Sequence, residues 1–128
     1  MKALLTIIFA LATTALMADT NVSGVIYKTF NEQTINSQIK RGETVLIWVH
    51  ADWCSPCNRF KANELQDPEY LINVSRTYTY EIDMSKLGWS HPDAVKFRVR
   101  GIPLVIVYKH GKMVYSGNDI DTIIKLVK

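Results

Sequence analysis

Residues 45–57 read VLIWVHADWCSPC. Val45-Leu46-Ile47-Trp48-Val49 is a continuous apolar run of strand length. Such a run predicts a central strand covered on both faces, and therefore helices on both sides of a sheet. Two thiols follow it, Cys54 and Cys57, separated by Ser55 and Pro56. Proline has no N–H to leave unmet in the first turn of a helix, so Cys54 to Gln66 is predicted as a helix opening on the cysteines. A helix N-terminus offers unpaired N–H groups and a positive dipole end, both of which favour a thiolate. Cys54 at that end reads as the exposed, attacking nucleophile. Cys57, one turn further in, can attack a mixed disulfide formed by Cys54. The pair then exchanges two electrons reversibly and needs no cofactor beyond itself.

Working outward, Val22 to Tyr27 is predicted as a first strand and Asn31 as the cap of a helix that ends before Gly42. Phe30 and Ile35 sit where a hydrophobic staple would place them. Asp67-Pro68 marks the start of a short helix carrying Tyr70, Leu71 and Val74. Tyr78, Tyr80 and Ile82 alternate with Thr79 and Glu81, a half-covered strand. Ser90 and Asp93 form a capping-box pattern for a helix ending near Arg98. Leu104 to Tyr108 is a further apolar strand, and His110-Gly111 turns it into a hairpin with Met113–Ser116. Ile120, Ile123, Ile124 and Val127 line one face of a last helix. The order βαβαβαββα describes an α/β fold whose mixed central sheet is flanked by helices and closed by a C-terminal hairpin and helix.

The whole chain has 128 residues, 48% of them hydrophobic, with two cysteines and a net charge of +3. That composition excludes intrinsic disorder, a multi-disulfide scaffold and a zinc site made of cysteines alone. The charge is too small and too scattered for a nucleic-acid partner. Residues 1–18 read as a signal peptide: Lys2, an uncharged run from Ala3 to Met17, and small residues after which cleavage could fall, at Ala15 or Ala18. Residues 19–128 then form one domain, exported to a compartment where disulfides persist. A bacterial periplasm suits that reading best, with secretion or an uncleaved signal anchor as the alternatives.

Other uses of the pair are weighed by their partners. Zinc wants a second pair of ligands, and none stands at the usual spacing; haem attachment wants a His after the second Cys, where Asn58 stands. A structural disulfide would close a very small loop for little stability. Copper(I) capture by the reduced thiols stays open as a binding-module reading.

Asp52-Trp53-Cys54-Ser55-Pro56-Cys57 resembles the active site of the thioredoxin family, and Val99-Arg100-Gly101-Ile102-Pro103 resembles its second signature. Within the family, Ala51-Asp52-Trp53-Cys54 with Asp67-Pro68 resembles the C-terminal domain of DsbD-type thiol:disulfide interchange proteins. The resemblance implies a thioredoxin fold and a thiol–disulfide oxidoreductase acting on protein thiols and disulfides, here as a reductant. It implies Cys54 as nucleophile, Cys57 as resolving thiol, Pro103 as a cis-proline beside the disulfide, and Ile102 as a backbone partner for an extended substrate segment. Trp53 would shield the dithiol and form part of the partner surface, and Ser55 and Pro56 would tune the potential. A membrane electron conductor is the implied source of electrons and a monomer the implied state. The same residues would serve an oxidant or isomerase, although the large inserted domain of DsbA-type oxidants is missing.

The sequence departs from the family at the proton acceptor. Trp48 stands six residues before Cys54, where the family buries an Asp, and Lys61 stands where DsbD-type domains carry an acid. The family's Lys on the neighbouring strand aligns with Thr79, and Glu81 is expected on the wrong face, so no base for Cys57 can be named. His50, four residues before Cys54, has two readings: an imidazolium that stabilises the Cys54 thiolate, or a solvated or hydrogen-bonded histidine at a strand end. His91 and His110 are expected at the surface, and Trp48 in the core.

Overall fold

The computed structural model describes residues 24–128. The leader expected over residues 1–18 lies outside them. The described chain runs β1 (Lys28–Thr29), α1 (Glu32–Lys40), β2 (Val45–His50), α2 (Ser55–Ala62), α3 (Pro68–Val74), β3 (Tyr78–Asp83), α4 (Pro92–Lys96), β4 (Leu104–Lys109), β5 (Lys112–Gly117) and α5 (Ile120–Val127). One five-stranded sheet is formed in the order β1-β3-β2-β4-β5. β1 and β2 run parallel to β3, whereas β4 is antiparallel to β2 and to β5.

β2 is central, and Val45 to Val49 are at most 2% exposed. Burying a side chain of that size contributes roughly 1.5–3 kcal/mol, so this strand anchors the fold. Alternate residues meet helices on opposite faces. Trp48 stacks on Phe60 of α2 with ring centroids 5.6 Å apart. On the other face the Tyr80 hydroxyl donates to Gln38 Oε1 of α1 at 2.8 Å. α4 joins α1 on that side through the edge-on Phe30–Phe97 pair at 5.4 Å and the Lys96–Glu32 ion pair. α3 and α5 are tied by Lys128 and Glu69 at 2.8 Å.

Three sequence expectations are corrected. The first strand is Lys28–Thr29 rather than Val22–Tyr27, because only there does the segment meet β3, with Lys28 beside Tyr80 and Thr29 beside Glu81; Val22 itself is outside the described residues. The helix predicted over Cys54–Gln66 stops at Ala62, where Asn63 turns to φ −111°, ψ −74°, and Glu64–Gln66 continues as a single 3₁₀ turn. α4 is capped by His91, whose Nδ1 accepts from the Asp93 backbone N–H at 3.1 Å, and not by Ser90. His91 is therefore a half-buried capping residue rather than a surface one.

Candidate active site

The site is built where β2 ends and β4 begins. Antiparallel pairing sets Val49 opposite Leu104, so the residues after β2 and those before β4 lie side by side. That register brings the cysteines from one loop against Ile102 and Pro103 from the other. The Ile102–Pro103 peptide bond is cis, and Cys54 Sγ lies 3.8 Å from the Ile102 carbonyl oxygen. Asn118 Nδ2 donates to the Pro103 carbonyl at 3.2 Å, fixing the second loop from the far side.

Cys54 is the N-cap of α2 and is joined to Cys57 by a disulfide with Cα atoms 5.2 Å apart. The backbone N–H of Cys57 donates to Cys54 Sγ at 3.1 Å. A donor aimed at that sulfur, at the positive end of a helix, favours charge on Cys54 once the disulfide opens. Cys54 is 6% exposed and Cys57 1%. The expected order of accessibility holds, but Cys54 is nearly buried rather than open, with the Ile102 carbonyl against its sulfur. Cys54, Cys57 and Phe60 recur every three residues on the inner face of α2, which leaves Ser55 and Pro56 exposed at the turn. Ser55 Oγ accepts from Arg59 one turn on, at 3.1 Å.

The loop bearing Trp53 is pinned by a residue that sequence reasoning missed. Ser85 Oγ accepts from the Asp52 backbone N–H at 2.8 Å, and its carbonyl accepts from Trp53 Nε1 at 3.3 Å. Ser85 is held in turn by Asp83, to which both its hydroxyl and its N–H donate. Burial works against the ionised form of Asp83, but the Ser85 hydroxyl and N–H, then His50 and His91, outweigh it and lower its pKa. Trp53 is half exposed, with Trp89 beside it at 6.4 Å between ring centroids. Nothing in the spacing of Ser85 from the cysteines signals its role; it follows from β3 ending level with β2, where His50 pairs with Asp83.

Glu81 overturns the expectation that it lies on the wrong face, and His50 is the hydrogen-bonded histidine at a strand end of the second reading. In the parallel register Thr79 pairs with Leu46, and Glu81 pairs with Trp48. Glu81 therefore shares a face with Trp48 and His50, the face covered by α2, and its Oε1 accepts from His50 Nε2 at 2.7 Å. The His50 ring is stacked on Trp48, with centroids 5.1 Å apart and planes 9° from parallel. A cleft of about 670 Å³ opens here, lined by Trp48, His50, Lys61, Asp83 and His91 together with Cys57. Among the described residues no group of three His, Cys, Asp or Glu is arranged to hold a metal ion.

Comparison with known proteins agrees with this geometry. The profile of the thioredoxin-like domain matches residues 31–128. The chain is 28% identical over 69 residues to the thiol:disulfide interchange protein DsbD of Haemophilus ducreyi, covering 53% of this chain but only 12% of that protein. It is 28% identical over 96 residues to the thioredoxin of Griffithsia pacifica, covering 73% of this chain and 78% of that one. Oxidised mitochondrial thioredoxin 3 of Saccharomyces cerevisiae superposes with a TM-score of 0.60 at 21% identity, over 80% of this chain and 92% of that one. A DsbH oxidoreductase superposes with a TM-score of 0.62 at 14% identity, over 82% and 85%. These relatives and the CxxC disulfide support thiol–disulfide oxidoreductase activity. The chain belongs to the thioredoxin-like family.

Proposed function

We propose that the protein is an exported reductant of protein disulfides. Cys54 thiolate attacks a client disulfide; a Cys54–client S–S bond forms and the first client sulfur leaves as a thiolate. Cys57 thiolate then attacks Cys54 Sγ, closing the Cys54–Cys57 disulfide and expelling the second client sulfur. Two electrons pass from the protein to the client, and the thiol protons end on the client's sulfurs. The client strand lies against Trp53 and the Ile102-Pro103 backbone. A membrane electron conductor restores the dithiol, the protein works as a monomer, and the leader at residues 1–18 directs it to a bacterial periplasm. Ser55 and Pro56 set the potential.

The observation that carries this reading is the pair at the mouth of α2, with the Cys57 N–H on Cys54 Sγ and the Ile102 carbonyl beside it. Trapping tests it. Cys57→Ser is expected to accumulate mixed disulfides with clients that reductant dissolves, and Cys54→Ser to accumulate none. The reverse pattern would exchange the two roles, and no adduct with either variant would remove the enzymatic reading in favour of a binding module.

A further inference from the structure

Cys57 must lose its proton before it can resolve a mixed disulfide, yet it is only 1% exposed. Burial among apolar groups disfavours a thiolate, so the step needs a nearby acceptor. The central-strand position that packs on Phe60 of α2 offers none, since Trp48 fills it. The titratable groups that share the cleft with Cys57 are His50, Asp52, Lys61, Asp83, Lys86 and His91. Lys61 and Lys86 are cations at neutral pH and hold no free lone pair. Asp83 is committed to Ser85, which lowers its basicity. His91 Nδ1 is spent on capping α4. Asp52 stands in solvent on the loop. His50 is left, with its side chain only 15% exposed, its ring stacked on Trp48 and its Nε2 on Glu81.

We infer that His50 is the proton acceptor for Cys57 and that Glu81 is its positioning residue; the inference rests on the dithiol reading above. The carboxylate accepts the Nε2–H, which fixes the tautomer and leaves the lone pair on Nδ1. His50 and Cys57 line the same cleft, which has room for a water to relay the proton between them. The Cys57 proton passes to Nδ1, and the thiolate forms the S–S bond to Cys54. The bond from Cys54 to the client breaks, and the departing client thiolate recovers the proton from the imidazolium. The imidazolium that exists in between is offset by Glu81 and Asp83 from β3, against Lys61 of α2 and Lys86 of the following loop.

Reaction of the reduced protein with a nitrobenzoate disulfide separates the two steps, because coloured thiolate is released once when Cys54 attacks and again when Cys57 resolves. An ordinary thiol near pKa 8.5 is about 3% ionised at neutral pH, and burial leaves Cys57 less ionised still, so the deficit a base can make up is at least about thirtyfold there. His50→Gln is expected to slow the second release roughly tenfold at neutral pH while leaving the first unchanged, with the lost rate regained as pH rises. Glu81→Gln, on a partly exposed side chain, is expected to slow the second release less and to shift its pH profile. Equal slowing of both releases in both variants, or an unchanged pH profile of the second release in Glu81→Gln, would overturn the inference even if His50→Gln fails to fold. Absence of the first release in the unmodified protein would instead remove the dithiol reading beneath it.

Discussion

Individual side chains divide the labour around the dithiol. Cys54 takes the accessible end of α2, Ser85 holds the Trp53 loop, and His50 and Glu81 occupy the face that Trp48 leaves without a carboxylate. Behind them, Tyr27 and Tyr70 share a hydrogen bond of 2.6 Å between their hydroxyls. Burial, only partly offset by that bond, pushes Tyr27 up to about 12, and burial raises Tyr70 as well. A raised pKa means that the unfolded chain ionises first, so stability present below pH 10 is lost as pH climbs towards 12. The loss from Tyr27 is about 2 kcal/mol across that window. Urea unfolding at a series of alkaline pH values checks it: Tyr27→Phe should flatten the decline, and an equally steep decline would contradict the assignment. At this scale the cysteines and Trp48 in the core were legible from residue type, and the Ile102-Pro103 pair only through the resemblance of its signature to a known family. Glu81 was not, because a one-residue change of register moves a strand side chain to the opposite face. Only the pairing of Trp48 with Glu81 settles which face it takes.

Elements begin and end where side chains satisfy their free backbone groups. Asn31, Asp67 and Asp119 cap α1, α3 and α5, each accepting from N–H groups of the first turn. α5 has the most to lose, since it lays Ile123, Ile124 and Val127 on the core, and Thr122 N–H donates to Asp119 Oδ2 at 3.3 Å. Asp119→Ala is expected to cost about 1 kcal/mol, seen as a lower urea midpoint at unchanged slope, while thiol reactivity stays as it was. An unchanged midpoint would mean that the cap carries no stability. The caps Asn31 and Asp67 were readable in advance, whereas Asp119 was not, and the His110-Gly111 turn was, where φ is 53° and 87°. The cap by His91 was not, because the Ser90–Asp93 spacing pointed one residue too early, and the break at Asn63 was not, because no Gly or Pro stands there to announce it. β1 is two residues long and exists through its pairing with β3, which no local pattern announces.

The whole molecule is arranged around one buried strand. β2 carries the dithiol loop at its C-terminal end, with a parallel neighbour on one side and an antiparallel one on the other. The parallel neighbour delivers Asp83 and Ser85, and the antiparallel one delivers Ile102 and Pro103. The order of elements implied a helix-flanked sheet closed by a hairpin but not that β4 runs antiparallel to β2, and the resemblance of the two signatures implied which loops would meet. What the sequence withheld is the cleft behind Cys57, which exists only once β2, β3 and α2 are packed together.

The proposed reductant needs a Cys54–Cys57 couple that gives electrons away. Its equilibrium reduction potential, read from the fluorescence of Trp53 against a dithiothreitol or glutathione buffer, tests that claim most directly. A donor is expected near the roughly −270 mV of thioredoxin. A value near the roughly −120 mV of DsbA would contradict it and make the protein an oxidant.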